Sequence, residues 1–472
     1  MVAAAVAGCG STTFFAGRQL PPSGLTTRVL IAIQNPSALT KGALQIVDAF
    51  YDTRYKYNNT RVTYSISGYS GALPISIQNM PEEQLGAVYG SGDGSFTPVN
   101  YAKESSTGAV KGLSGTSSSI FITRNQTYII AAQQAAHVLT MVNQSTGAVV
   151  SLGLPGIYRV SVDPGGTTAL AFVQNSNYVY YPRQLTAAQT IAFSGGSSTW
   201  PKAAVDCEPL NAPTWCLFQA QSPDHTDATG NYYGAPLTFD RPIKAVFSAD
   251  GGTAYVLNCG PECGGNTASI TSLPIGPLIF LIGQQSGTLP TTAALAGANL
   301  PIPGGASNAL VDTTTMYVVG QQPQQVQGQT LFAGNLTIVN LSSYTTGNPI
   351  SISDGEPGAT SRMLEADDST LWIAMSKCNL GVRAATGQPY GCLTMFNTST
   401  DTVTLIEPYI GDATGIAAVT GLHKIYTAEG GQVYIYSTKD GSSIDNQYVT
   451  VTGTAYDVAY MDAITDTNNT VY

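Results

Sequence analysis

Chemistry near neutral pH needs side chains that titrate or attack there, and this sequence of 472 residues holds only 3 histidines. His225 is the one with ligand-like company, because Asp224 and Asp227 flank it, and imidazole with carboxylates is a donor set that divalent ions accept. His137 and His423 lie on or beside expected strands and read as packed or surface residues. Cys259-Gly-Pro-Glu-Cys263 has the look of half a zinc site, yet no second cysteine pair of matching spacing or nearby histidine completes four ligands. No cofactor is expected. A divalent ion such as calcium stays an open alternative, since carboxylates and carbonyls suffice for it, although no Asp-x-Asp-x-Asp-Gly ladder occurs.

The carboxylate pairs point to turns. Glu82 and Glu83 follow Pro81, and Glu365, Asp367 and Asp368 share a stretch of four residues, both between expected first and second strands where Asp and Asn serve turn geometry. Gly90-Ser-Gly-Asp-Gly94 resembles a phosphate cradle, but it joins two expected strands and opens no helix, so a hairpin is expected instead. The sequence has no Gly-x-Ser-x-Gly elbow, His-Glu-x-x-His helix, Cys-x-x-Cys-His step or Walker loop. No residue is therefore assigned a catalytic role.

The elements that must position any site are strands. Gly numbers 50 and Tyr 26, while charged residues are 10% of the chain, a balance suited to turns and half-buried strands. The formal net charge of −10 leaves no basic stripe, so nucleic acid is not expected as a partner, nor is attraction to anionic membrane surfaces. A repeated grammar of strand, polar turn and strand runs through Ile243 to Asn258, Tyr158 to Val173, Ser119 to Ile130 and Arg362 to Ile373. Each pair is followed by a third strand and a fourth, which is a propeller blade. First strands are expected near Pro74, Ser119, Tyr158, Ile243, Asn308, Arg362, Gly415 and Tyr456, which gives an all-β propeller of eight blades, with seven as the alternative. The N-terminal unit lacks a first strand and Tyr456 to Tyr460 is a first strand without a blade, so the two are expected to join and close the ring, removing two open edges.

This places one propeller over residues 27–464, preceded by a Ser-, Thr- and Pro-rich tether at 10–26 and followed by a tail at 465–472. A long insertion at 183–240 breaks the rhythm; loops of that length in a compact domain serve binding or act as lids. Its Trp200, Trp215, Asp224, His225, Asp227, Tyr232 and Tyr233 form the candidate binding loop. A strand is also expected at 277–282, and a hairpin loop between Cys378 and Cys392.

The stretch Ser248-Ala-Asp-Gly-Gly-Thr-Ala-Tyr-Val-Leu-Asn258 resembles the core of YVTN-type β-propeller repeats, with Ala249 and Leu257 departing from the pattern. The other units match in pattern alone. The resemblance implies surface or periplasmic binding proteins and lactonase-like relatives, and it transfers no catalytic residue. The start of the chain, with Val-Ala-Gly-Cys9, resembles a bacterial lipobox in a residual signal at 1–9, which would put a lipid on Cys9 and the chain on the cell envelope or outside it. The other cysteines fall as three close pairs, Cys207 with Cys216, Cys259 with Cys263 and Cys378 with Cys392, as three local disulfides in an oxidising compartment would, though six cysteines allow other wirings. The expected function is a surface module that binds protein or glycan and self-associates as a homo-oligomer or filament, touching membrane only through its lipid. The alternative is a metal-dependent, lactonase-like hydrolase with carboxylates at the central channel.

Overall fold

The computed structural model describes residues 18–466 except 57–58, 114, 186–203, 209–213, 222–224, 227–231, 234–235, 277–298, 356–361, 389–390, 408–409 and 445–448. The fold is a β-propeller of eight antiparallel blades. The eight first strands begin at Pro74, Ser119, Ile157, Pro242, Asn308, Arg362, Ala413 and Thr454, each within two residues of its expected start.

The chain divides into two compact units. The first comprises the described residues of 18–110, 364–371 and 414–466. In it the strand Arg28–Gln34 is flanked by Gly42–Asp48 on one side and by Thr454–Tyr460 on the other, so the last strand of the chain completes the first blade as expected. Strand geometry explains why Val29 to Ile33 is apolar without a break. Successive side chains point to opposite faces. Val29, Ile31 and Ile33 enter one buried cluster with Tyr426, Val433 and Val458, while Leu30 and Ala32 enter another with Ile77, Val88 and Val99. Both faces of the blade are core, so no polar alternation is left in the sequence.

A buried ion network ties this closure down. Arg28 is 2% exposed; its Nη2 lies 2.6 Å from Asp462 Oδ1, its Nε 2.9 Å from Asp462 Oδ2, and its Nη1 2.9 Å from Glu104 Oε1. Ser23 donates to Glu104 through both its backbone N–H and its hydroxyl. Burial works against the guanidinium charge, but the hydrogen bonds and charges of Asp462 and Glu104 outweigh it and hold Arg28 firmly protonated.

The second unit covers the described residues of 111–363 and 372–413. Its blades pack through clusters built the same way: Ile130, Met141 and Leu152 face Val160, Ala171 and Leu217, and Phe172, Tyr181 and Phe218 face Phe247, Val256 and Leu273. Side chains set the hairpins that join first to second strands. Asp163 accepts the N–H groups of Gly165, Thr167 and Thr168 and the Thr167 hydroxyl, and Asp250 accepts from Ser248 and Gly252. The Asp250-Gly251 step lies in a four-residue connection closed by the Ser248 N–H, which donates to the Thr253 carbonyl, and it uses one left-handed residue, Gly251 at φ +70°. The reason is that the Asp250 carboxylate supplies the turn's acceptor, so a longer connection needs only a single glycine.

The fourth blade departs from the four-stranded pattern. Its strands run Ile157–Val162, Ala169–Val173, Val179–Leu185, Thr214–Gln219 and Ala204–Glu208 in spatial order, so the 183–240 insertion contributes a stapled strand pair, of which Ala204–Glu208 is the fifth strand. Asp206 and Glu208 on that strand accept the N–H groups of Gly153 and Ser151, capping the edge strand of the third blade. Such an edge would otherwise leave a row of backbone donors unsatisfied.

The three cysteine pairs are disulfides: Cys207–Cys216, Cys259–Cys263 and Cys378–Cys392. The connection stapled by the last pair is more than a hairpin loop, since it carries a one-turn helix, Val382–Ala385. The strand expected at 277–282 lies outside the described residues. No helix among the described residues is long and apolar enough to cross a membrane.

Candidate functional site

The hairpins of the second unit put its first strands in a common register. The closing backbone bonds run from Thr123 to Tyr128, Asp163 to Thr168 and Ser248 to Thr253, and the corresponding pair in the sixth blade is Asp312 with Thr315. Counting back four residues from Thr123, Asp163, Ser248 and Asp312 reaches Ser119, Arg159, Lys244 and Asn308. Arg362 opens the first strand of the seventh blade as Asn308 opens that of the sixth. Five consecutive innermost strands therefore carry a polar residue on one rung, and three of the five are cations.

Side chains on and beside this rung link the innermost strands. The Val160 N–H donates to Ser119 Oγ at 3.2 Å, and the Ala245 N–H donates to Ser161 Oγ at 3.1 Å. Lys244 Nζ donates to Asn308 Oδ1 at 2.6 Å, and the same oxygen accepts the Ala309 N–H at 2.9 Å. Lys244 is 5% exposed and Arg362 7% exposed, while Arg159 is half-buried and is the cation of the rung that solvent reaches. Burial lowers the Lys244 amine well below its ordinary range, and the positive charges of Arg159 and Arg362 lower it further. Burial also pushes the neighbouring Tyr158 phenol up, so it remains a neutral donor.

This rung can attract an anion. Two guanidiniums beside a buried amine form a positive centre within a chain of net charge −10, and a low-dielectric wall strengthens its field. The half-buried Arg159 offers the planar fork that matches a carboxylate or phosphate. In the first unit the inner-strand carboxylate of Asp457 is used differently: its oxygens accept the N–H groups of Ile77, at 2.7 Å, and Val458. Among the described residues no three His, Cys, Asp or Glu side chains converge in a way that could hold a metal ion.

The other expected residues are placed as follows. Cys9, Trp200, Asp224 and Asp227 lie outside the described residues. His225 pairs with Tyr233 in a two-stranded ladder, with Thr226 opposite Tyr232. Trp215 is on a strand of the fourth blade and packs edge-to-face on Tyr128, with ring centroids 5.5 Å apart. Glu82, Glu83, Asp367 and Asp368 occupy turns, and the stretch Gly90 to Gly94 joins the strands Leu85–Gly90 and Phe96–Asn100 as a hairpin. His423 is a surface residue whose Nδ1 lies 2.8 Å from Asp368 Oδ2; the Thr438 hydroxyl, then this imidazole, hold that carboxyl below its usual range. Arg159, Lys244, Asn308 and Arg362 were not foreseen as a group. Superposing the repeats on their turns, which the sequence allows, places the first four members of the rung in one column.

No family model matches the sequence, and no curated protein matches it. Solved structures do resemble it. Dihydro-haem d1 dehydrogenase NirN is similar with a TM-score of 0.51 at 9% identity, covering 92% of this chain and 75% of that one. A periplasmic gluconolactonase of Pseudomonas aeruginosa gives 0.42 at 13% identity over 92% of this chain and 98% of that one. Hydrazine synthase of Kuenenia stuttgartiensis gives 0.47 at 11%, over 80% and 99%. At such identities the likeness extends to the propeller fold alone, a fold that hosts many unrelated functions.

Proposed function

We propose that the chain is a YVTN-type propeller of the bacterial envelope, anchored by a lipid on Cys9, that binds an acidic glycan or an acidic segment of a protein. The observation that carries this reading is the pair of guanidiniums, Arg159 and Arg362, whose positive charges act together on the buried Lys244 amine between them in blade order, on three innermost strands. The envelope address draws support from three disulfides, which persist in oxidising compartments, and from the Val-Ala-Gly-Cys9 step. A hydrolase of the lactonase kind would place carboxylates and a divalent ion at the inner strands. The rung presents cations, an amide and a hydroxyl there instead, which favours recognition of a ready-made anion.

The probe is a short oligogalacturonate, and the experiment is a crystal structure of the full chain soaked with it. A uronate carboxylate within hydrogen-bond distance of the Arg159 guanidinium is the expected result, with the sugar absent from Arg159→Gln crystals prepared alike. Sugar bound elsewhere, or no sugar in the wild-type crystals, would overturn the proposal.

A further inference from the structure

Among the described residues Lys244 is the only buried lysine. The others are exposed, except the half-buried Lys424, whose Nζ lies 2.6 Å from Asp52 Oδ2. Lys244 is 5% exposed, and its Nζ donates to a neutral oxygen, Asn308 Oδ1, at 2.6 Å. The Ala309 N–H donates to that same oxygen and so orients the amide toward the amine. The amine therefore stands on the innermost strand of the fifth blade and is tied to that of the sixth. Arg159 on the fourth and Arg362 on the seventh are near enough for their charges to act on it.

Such an amine has a chemistry that exposed lysines lack. A protonated amine has no lone pair to give, and an ordinary lysine is protonated at neutral pH. Burial and the two guanidinium charges lower the Lys244 amine well below that range, so its lone pair is available for bond formation. The same surroundings restrict what the amine can meet. At 5% exposure it is out of reach of a sugar or a peptide. A co-reactant that enters must be small and uncharged, since a charged one would have to shed its water. A product that is an anion is favoured, because the neighbouring charges are positive. Carbon dioxide meets all three conditions: it is three atoms in a line, it is neutral and electrophilic at carbon, and its adduct with an amine is an anion.

We propose that Lys244 takes up carbon dioxide as a carbamate, held in the positive field of Arg159 and Arg362. The Nζ lone pair forms a bond to the carbon of carbon dioxide, one C=O electron pair moves onto oxygen, and one amine proton leaves to water. The products are Nζ–COO⁻ and a hydrated proton, and nothing is oxidised or reduced. The carbamate nitrogen keeps one N–H, for which Asn308 Oδ1 is already placed as the acceptor. The guanidiniums that make the amine a poor base attract the carbamate, and a low-dielectric wall strengthens that attraction. Uptake exchanges a neutral amine for an anion, so carbon dioxide sets the charge of the rung. The proposal concerns the Lys244 amine and does not require an acidic glycan at Arg159.

The test is carbon-13 nuclear magnetic resonance of the full chain at neutral pH in labelled bicarbonate, beside the same measurement on Lys244→Met. A carbamate resonance is expected in the wild type and its loss in the variant; a carbamate on an α-amino group is common to both and cancels. Alkylation of the wild type with a trialkyloxonium salt traps the adduct, and peptide mass spectrometry is expected to place it on Lys244, a readout that does not depend on the variant's folding. A wild type with no carbamate beyond that of the variant, or a trapped adduct on other amines with Lys244 unmodified, would overturn the proposal.

Discussion

Arg28→Ala is expected to destabilise the folded chain by about 3–5 kcal/mol, the range found when one partner of a buried ion pair is removed. The loss exceeds what a surface ion pair contributes because both carboxylates stay behind. Asp462 is 1% exposed and Glu104 6% exposed, and burial already pushes the Asp462 carboxyl up, so removing the guanidinium takes away the cation that offsets its desolvation. The position of the pair adds to the effect. Arg28 opens the strand that pairs with the last strand of the chain, and Asp462 lies just beyond that last strand, so the network acts where the chain's two ends are joined. Urea denaturation followed by tyrosine and tryptophan fluorescence measures this directly. A loss under about 1 kcal/mol, the ordinary yield of an exposed pair, would show that the network is not buried as described.

Lys244→Met should act in the opposite direction. The amine is held well below its ordinary value of 10.5 by burial and by Arg159 and Arg362, so folding at neutral pH works against its charge. The unfolded chain binds this proton more strongly than the folded chain does. Stability therefore rises with pH across the window that starts at the lowered folded value and ends near 10.5. Each unit of depression costs about 1.4 kcal/mol below that window. Methionine fills a similar volume without the charge, so the variant is expected to be more stable than the wild type at neutral pH, and the difference should close as pH approaches 10.5. Paired urea titrations of both proteins at several pH values give the difference free of other titrating groups. A difference that does not change with pH would mean that Lys244 keeps an ordinary affinity for its proton.

The blades were legible because each carries its own punctuation. Turns at Asp163, Asp250 and Asp367 separate apolar runs, and the missing first strand of the N-terminal unit matched the surplus strand at Tyr456. The three disulfides were legible from close pairing along the chain. The rung was harder to see, since Arg159, Lys244, Asn308 and Arg362 come from four blades and each one alone looks like an ordinary strand residue. Their relation is a matter of register, which the turns set and which local pattern does not display. The length of the strand Gln329–Asn340 in the sixth blade escaped for a related reason. The apolar pattern in this stretch begins at Leu336, but pairing starts at Gln329, because backbone hydrogen bonds continue through polar residues that no core requires. The fifth strand of the fourth blade escaped because Ala204–Glu208 is only five residues long and is interrupted by Asp206, and it is held by the disulfide and by the N–H groups that it caps on the neighbouring edge.

The most direct measurement is isothermal titration of an oligogalacturonate into the full chain, beside the same titration of a neutral oligosaccharide of equal length. The account predicts saturable binding of the acidic sugar alone, weakened by added salt because charge drives it, and lost in Arg159→Gln. Equal affinity for both sugars, or an acidic sugar that binds Arg159→Gln as tightly as wild type, would contradict it.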